Sequence, residues 1–302
     1  MIITTRTRLG ASFLAVSLLV GGLSLFVGGQ LIYRAVLREA QTRISLNLSA
    51  AREIYDDRER SMLLGLTLAS GESALRSAVS ALATGPLSAR LRDVAGAIGL
   101  DFAGVVDSDG TRIAGTGSGP GAPANPISFL ALKRRAPVSG TLVLRRDELL
   151  GEGAALAERA RIPLLPTARA APRTDTEETA GLALCAAVPL FFDEGPVRIL
   201  YGGVLLSRNE DIVDRIRDTV FKQETYGGKL IGTATIFFND LRIATNVHTP
   251  SGQRAVGTRA WEEVTRKVLD EGERWSDRAF VVGGGVFVGM GYWGAYLRGS
   301  KR

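Results

Sequence analysis

A chain of 302 residues, of which 45% are hydrophobic, is long enough to bury one large core or two modest ones. The 37 Lys and Arg residues exceed the 31 Asp and Glu residues but form no basic block, so no nucleic-acid partner is expected. One cysteine and one histidine exclude an intrachain disulfide, a cysteine metal cluster and most mechanisms that need histidine. We therefore expect no cofactor, and among enzymes only a carboxylate-based one remains open.

The first predicted element is a membrane anchor. Residues 11–33 carry no charge over 23 positions and are bounded by Arg8 and Arg34. As a helix they would span a hydrocarbon core of about 30 Å. The run is longer than the apolar part of a usual signal peptide and ends without an Ala-x-Ala site, which favours an uncleaved anchor after a cytoplasmic segment at 1–10. Basic residues flank the run on both sides, so charge alone does not fix its orientation.

Residues 34–99 have the periodicity of a helical stalk. Gly71 and the pair Gly85-Pro86 are predicted to break this stretch into one long helix and shorter successors. The apolar face predicts packing against a sheet or against a second copy of the chain, and we expect a homodimer through the long helix. The apolar positions, spaced by three and four residues, are Val36, Leu37, Ala40, Ile44, Leu48, Ala51 and Ile54.

Residues 100–228 are predicted to form a first α+β module with a central antiparallel sheet. The module opens with a hairpin whose turn is Asp107 to Gly110 and closes with two long strands and an exit helix. Residues 151–180, rich in Ala, Arg and Pro, are expected to be a surface excursion. The predicted strands are 102–106, 111–116, 140–150, 181–192 and 198–207, and the predicted helices are 127–135 and 210–221.

Residues 229–302 repeat the order hairpin, loop, helix, strand. The chain is therefore predicted to contain two copies of one α+β module. Either the second copy lacks a strand and an exit helix, or residues 279–297 have another use. The predicted elements of this copy are a strand at 233–238, a turn at Asn239-Asp240, a return strand at 241–247, a helix at 259–272 and a strand at 274–282.

The uncharged stretch at 279–297 permits two interpretations. Its length and the basic residues after it fit a second membrane span. Its six glycines and its β-branched and aromatic residues are typical of strands, and we predict strands.

The segment from Thr235 to Val282 resembles the membrane-proximal module of double Cache sensors. These are tandem PAS-like extracytoplasmic domains of bacterial sensor histidine kinases, chemoreceptors and cyclic-dinucleotide enzymes. The matching residues are Asn239-Asp240, Arg242 to Val247, Gly252, Arg254-Ala255, Gly257 to Arg259, Val264, Val268-Leu269 and Gly272.

The resemblance implies a sensor body in the periplasm, held by an anchor in the inner membrane. Members of the family continue after the second module into another membrane helix, a relay and a signalling domain. The sequence departs from the family there, so we expect a sensor truncated before its output domain, either by a natural stop or by a frameshift.

Three arginines of the second hairpin and its loop are candidate ligand contacts. Because PAS-like sheets bind ligands on one sheet face, the resemblance makes polar residues on that face candidates. Arg242, Arg254 and Arg259 could hold a small-molecule carboxylate in the fork geometry of a guanidinium.

Five further residues complete the candidate set. Thr245, Asn246 and Thr258 could supply neutral hydrogen bonds, and Asp107 and Arg112 have corresponding places in the first module. The alternative is that these side chains fix turns, cap the following helix and line a solvated face.

Three functions follow from these patterns. The first is the small-molecule-sensing module of a bacterial two-component or chemotaxis receptor, without an output domain of its own. The second is a membrane-anchored binding protein that acts through a partner receptor. The third is a membrane-tethered enzyme that uses a carboxylate pair such as Asp107 and Asp109.

Overall fold

The fold is α+β, with one long amino-terminal helix and antiparallel sheets. The helices are α1 (Thr5–Ser70), α2 (Ser73–Ser80), α3 (Thr84–Ile98), α4 (Pro126–Arg134), α5 (Arg146–Glu152), α6 (Ala154–Ala160), α7 (Glu210–Phe221) and α8 (Glu262–Thr265), which a π-helical turn, Arg266–Asp270, continues. The computed structural model describes residues 5–117, 125–222, 225–226, 229–230, 232–272, 275–281 and 284–290.

The strands form one five-stranded sheet and several two-stranded ones. They are β1 (Phe102–Val106), β2 (Arg112–Gly115), β3 (Val138–Leu144), β4 (Ile162–Pro163), β5 (Glu177–Glu178), β6 (Gly181–Leu190), β7 (Arg198–Leu205), β8 (Thr225–Tyr226), β9 (Lys229–Leu230), β10 (Thr235–Phe238), β11 (Leu241–Thr245), β12 (Trp275–Val281) and β13 (Gly284–Met290).

Helix α1 combines the predicted anchor with the predicted stalk. Its 66 residues correspond to about 100 Å at 1.5 Å per residue. By length and composition Phe13–Val36 could cross a membrane, and none of this segment is buried in the structure. Further along the same helix, Met62 and Leu66 are fully buried. The helix ends at Ser70, so the predicted break at Gly71 is confirmed.

The second predicted break occurs slightly earlier than expected. The chain leaves the helical path between α2 and α3, where Leu82 has a φ of 51°. Gly85 and Pro86 lie inside the first turn of α3. Proline is tolerated there because the first backbone N–H groups of a helix have no intrahelical partner.

The five-stranded sheet is antiparallel throughout, in the order β2-β1-β7-β6-β3. Ile127 of α4 and Ala160 of α6 share a core with one of its faces. Leu66 of α1 and Leu91 of α3 share a core with the other face. Because both faces are covered, β6 and β7 are buried along their whole length, which explains their continuous apolar sequences.

The prediction of a strand at 140–150 was wrong in its second half. Strand β3 ends at Leu144, and α5 begins at Arg146. The carboxylate of Glu148 accepts a hydrogen bond from the backbone N–H of Arg145 at 2.7 Å. This return contact satisfies a free N–H at the helix start, and Asp147 adds negative charge to the first turn.

The segment expected to be a surface excursion, 151–180, is partly buried. It contains α6 and the short pair β4–β5. Glu152 and Ile162 are nearly inaccessible to solvent.

The second half forms the predicted hairpin of β10 and β11 around Asn239-Asp240. Phe238, Leu241 and Ile243 share a core with Met62 of α1, so this hairpin packs on the same long helix as the sheet.

The helix predicted at 259–272 begins later than expected, at Glu262. The backbone N–H of Ala260 donates to the carbonyl of Asp240 at 2.7 Å, and Arg259 forms a β-bridge with Leu241. These contacts hold Arg259 and Ala260 beside the hairpin, and Trp261 is still extended, so the helix starts only after it.

Strands β12 and β13 form a hairpin, which confirms the strand prediction at 279–281 and 284–290. The remainder of the stretch 279–297 lies outside the described residues.

Alanine substitutions at two glycines, one in the sheet and one in a helix, are expected to change the free energy of unfolding in opposite directions. A Cβ on Gly203 in β7 would overlap the ring of Phe102 and lie 3.0 Å from the carbonyl of Leu184. A Cβ on Gly96 in α3 would meet no neighbour within 4 Å. We expect Gly203→Ala to lower the free energy of unfolding by about 1–3 kcal/mol. We expect Gly96→Ala to raise it by up to about 1 kcal/mol. Denaturant unfolding of both variants in one detergent measures the difference, and equal stabilities would contradict the packing described.

Candidate functional site

The eight candidate residues lie in two regions of the fold. Asp107 and Arg112 belong to the β1–β2 hairpin of the five-stranded sheet. The other six lie on β11 or in the loop that follows it.

Arg242 on β11 is a partly buried cation, and one of its donors has no partner among the described residues. One of its Nη atoms donates to the Oγ1 of Thr258 at 2.8 Å, and its guanidinium lies 5.4 Å from the centroid of the Phe237 ring. The Nε is buried and has no partner among the residues that the structure describes. Burial lowers the pKa of Arg242 to about 10, so the guanidinium remains charged at neutral pH. Such a donor could bind an anion.

Thr258 links Arg242 to the loop. Its backbone carbonyl accepts from the backbone N–H of Arg242 at 2.9 Å, and its hydroxyl donates to the carbonyl of Ala255 at 2.7 Å. Arg242 and Thr258 therefore form one unit across the hairpin and its loop.

Thr245 and Asn246 make their hydrogen bonds inside the protein. The hydroxyl of Thr245 lies 2.7 Å from that of Thr235 on the neighbouring strand. The side-chain carbonyl of Asn246 accepts from the backbone N–H of Ala234 at 2.9 Å. Its amide group donates to the carbonyl of Val213 at 3.3 Å. These contacts fix β11 to β10 and to α7.

Arg254 joins the loop after β11 to α7. Its two Nη atoms donate to the two carboxylate oxygens of Asp214 at 3.1 and 2.7 Å, and its Nε lies 3.1 Å from a carboxylate oxygen of Glu210. The hydrogen bond from Arg254 lowers the pKa of the Asp214 carboxyl, and the same bond raises the pKa of Arg254. The fork predicted for a ligand carboxylate is occupied here by a carboxylate of the chain.

Arg259 is also paired with an internal carboxylate. Its Nε donates to the Oδ2 of Asp240 at 2.7 Å, and both side chains are about nine-tenths buried. The backbone N–H of Arg259 donates to the hydroxyl of Thr167 at 3.0 Å, and Arg173 lies 3.5 Å from Asp240. The pair therefore holds the segment before β5 against the second hairpin.

Asp107 shapes the turn of the first hairpin. Its Oδ1 accepts from the backbone N–H of Ser108 at 2.8 Å, and the Oδ1 of Asp109 accepts from the N–H of Thr111 at 2.8 Å. The hydrogen bonds from Thr111 lower the pKa of the Asp109 carboxyl. These contacts give both carboxylates a structural role in the turn.

Arg112 is fully buried and belongs to a cluster that the sequence did not reveal. This Arg112 cluster consists of Arg112, Asn125, Glu152 and Tyr201. One Nη of Arg112 donates to the Tyr201 hydroxyl and lies 2.6 Å from the Oε2 of Glu152. The other Nη donates to the carbonyl of Gly151.

The remaining contacts of the Arg112 cluster are longer. Asn125 Nδ2 lies 3.5 Å from the Oε1 of Glu152, and the Tyr201 hydroxyl lies 3.4 Å from its Oε2. Burial raises the pKa of the Glu152 carboxyl, an effect that the charge of Arg112 opposes, and burial also raises the pKa of Tyr201. An arginine and a carboxyl group thus lie together in the core between the sheet and α4 to α6.

One sequence feature marks this cluster once the strand register is known. Gly104 pairs with Tyr201 across β1 and β7, and a Cβ on Gly104 would overlap the Tyr201 hydroxyl. The strand sequences alone do not give that register, so Tyr201, Glu152 and Asn125 were missed.

Two further features concern ligands. Beside the β1–β2 turn lies an open groove of about 500 Å³, lined by Asp109, Phe129, Lys133 and Arg135, and it includes none of the eight candidate residues. Within the described part of the chain, no group of three or more His, Cys, Asp or Glu side chains could hold a metal ion.

One family model matches part of the chain. Residues 204–291 match the family described as "Single cache domain 3", a stretch that runs from the end of β7 through α7 to β13. No curated protein matches the chain.

Two of the solved structures that are similar to this chain come from Vibrio cholerae. The periplasmic domain of Vibrio cholerae LuxQ is 13% identical, with 79% of this chain and 92% of that chain covered and a TM-score of 0.43. The sensor domain of the V. cholerae histidine kinase DctB is 14% identical, with 81% of this chain and 83% of that chain covered and a TM-score of 0.40.

The Arg254–Asp214 contact makes a prediction about acid stability. Because the pKa of Asp214 is lowered in the folded state, the pair stabilises the fold above the ordinary carboxyl pKa of about 4. That contribution is lost as the pH falls through the lowered pKa. We expect Asp214→Asn to cost about 1 kcal/mol at pH 7 and to reduce the loss of stability on acidification.

Urea unfolding at a series of pH values from neutral to acid tests this expectation. Asp193→Asn, which removes an exposed carboxylate from the β6–β7 turn, is the matched control. The same pH profile for both variants would contradict the role assigned to Asp214.

Proposed function

We propose that the chain is the small-molecule-sensing part of a bacterial signal-transduction receptor of the two-component or chemotaxis type. The observation that carries this proposal is the continuity of α1. One helix contains the apolar segment Phe13–Val36 and, further on, Met62 and Leu66 in the cores of both halves of the body. A displacement of the sheet or the second hairpin would reach a membrane through this helix without an intervening joint.

The family match supports a sensing role. It spans residues 204–291, which include α7 and the β10–β11 hairpin. We propose that the body lies outside the inner membrane, that residues 100–228 and 229–302 act as two modules, and that a separate output domain makes the response.

A carboxylate is the ligand class that we propose for the second hairpin. Arg254 and Arg259 already hold Asp214 and Asp240, so they position the hairpin. Within the described part of the chain the Nε of Arg242, beside Thr258, has no acceptor, so we place these two residues first among the ligand contacts. Thr245 and Asn246 would act by holding β11 in place.

We further propose a homodimer that forms along α1. Leu46 and Leu64 are 64% and 60% exposed, and they lie on one face of the helix because 18 residues correspond to five full turns. Between them Arg60 pairs with Glu53 at 2.7 Å on the same exposed side.

The orientation can be tested with single cysteines. The natural Cys185 is fully buried, so an introduced thiol would be the accessible one in the described chain. In intact bacteria we expect a membrane-impermeant maleimide to label Asp193→Cys in the exposed β6–β7 turn. We expect it to label Thr5→Cys, before the apolar segment, only after the inner membrane is opened. The reverse labelling pattern would exclude a body outside the inner membrane.

Sensing and dimerisation can be tested together by disulfide cross-linking in native membranes. We expect Leu64→Cys to cross-link between copies faster than Arg52→Cys, which is exposed on a different face of α1. Among small mono- and dicarboxylates, at least one should change the cross-linking rate about twofold or more, because a ligand that binds one state better shifts the population. Arg242→Gln should remove that response. Equal rates at both positions would contradict the dimer face, and a rate indifferent to every carboxylate would contradict sensing of this class.

A further inference from the structure

A purely structural role for the Arg112 cluster would carry a large free-energy cost of desolvation. Arg112 and Glu152 have side-chain exposures of 0% and 2%. Removing both charges from water costs several kcal/mol per ion, and well-packed apolar replacements of such pairs are often as stable. Stability alone therefore explains the pair poorly.

The contacts of Arg112 are those of an incompletely filled anion site. Glu152 offers one oxygen to a single Nη, at 2.6 Å, while its other oxygen lies 3.5 Å from Asn125. The Nε of Arg112 is buried and has no partner among the described residues. A free carboxylate could bind a guanidinium through two parallel hydrogen bonds, a geometry that Glu152 does not achieve.

Glu152 is attached differently from the rest of the cluster. Arg112 and Tyr201 stand on adjacent parts of the five-stranded sheet, and Asn125 caps α4 by accepting from the N–H of Ile127. Glu152 is the last residue of α5, a helix of seven residues that is followed by Gly153 and the equally short α6. A movement of Glu152 would therefore not require a change in the sheet.

The surroundings define the chemistry of an alternative occupant. Phe102, Cys185 and Leu156 belong to the apolar core around Tyr201. A ligand that replaced the Glu152 carboxylate would keep Arg112 neutralised, and the rest of the ligand would have to be small and apolar.

We propose that Arg112, with Tyr201 and Asn125, is a carboxylate-binding site in the five-stranded sheet and that Glu152 is an internal carboxylate occupying it until a small aliphatic carboxylate displaces it. This proposal deepens the proposed sensing function and rests on it for its biological meaning. The site is separate from Arg242 and gives the first half of the body its own ligand.

Acetate is the probe for this site. In full-length Glu152→Ala, purified in detergent, acetate should raise the thermal unfolding midpoint, and equimolar acetamide with matched ionic strength should not. At ten times its Kd, acetate should increase the folding equilibrium constant about tenfold. The wild-type protein should respond less, because Glu152 competes for Arg112.

Two control variants separate the site from general effects of salt. Glu158→Ala removes a carboxylate that is 69% exposed on α6, and acetate should not change its midpoint more than that of the wild type. The double variant Arg112→Met with Glu152→Ala removes both charges and should fold without any response to acetate.

Each outcome decides the proposal. A response of Glu152→Ala to acetate alone, lost in the double variant, supports it. Equal effects of acetate and acetamide, or no effect of either, would overturn it. If Glu152→Ala does not fold during expression, the yield of soluble protein after refolding in acetate or acetamide gives the same decision. Cross-linking at Leu64→Cys tests a ligand at Arg242 and does not depend on the Arg112 cluster. A negative result with acetate would therefore leave the proposed sensing function standing.

Discussion

Helix α1 has to satisfy two environments along one axis, and the rest of the structure is arranged around that requirement. Its first half presents apolar side chains in every direction over Phe13–Val36. In its second half Met62 and Leu66 are covered by protein, whereas Leu46 and Leu64 are exposed. Because Met62 and Leu66 are one helical turn apart, the five-stranded sheet and the second hairpin pack on the same side of one helix.

The elements that could be predicted closely are those fixed by neighbouring residues. Asp107 to Gly110 forms its turn through contacts within the turn, and α7 begins where Asn209 accepts a hydrogen bond from the N–H of Ile212. The elements that were misplaced depend on other contacts. Strand β3 gives way to α5 because one Glu148 oxygen accepts from the N–H of Arg145. Helix α8 starts late because Arg259 and Ala260 are paired with Leu241 and Asp240 of the hairpin.

The site was only partly predictable, because arginines can be recognised in a sequence whereas their partners cannot. Arg254 meets Asp214, 40 positions away, and Arg112 meets Glu152, also 40 positions away. Glu152 lies in a segment whose Ala, Arg and Pro content is typical of a surface, and nothing local indicates that its carboxylate enters the core. The fold decides which side chains meet, and the sequence around an arginine does not show its partner. Arginine is therefore a ligand candidate at Arg242 but the partner of an internal carboxylate at Arg259.

The hydrogen bonds between α7 and the second hairpin affect how the body unfolds. Asn246 bonds the carbonyl of Val213, Arg254 bonds Asp214, and the N–H of Arg208 bonds the carbonyl of Ile243 at 2.7 Å. All three hydrogen bonds join the hairpin to residues just before α7 or in its first turns. Local unfolding of either the helix or the hairpin would therefore break contacts of the other. The exit from the first sheet and the start of the second hairpin would therefore exchange their amide hydrogens as one cooperative unit, although they are more than twenty residues apart in the chain.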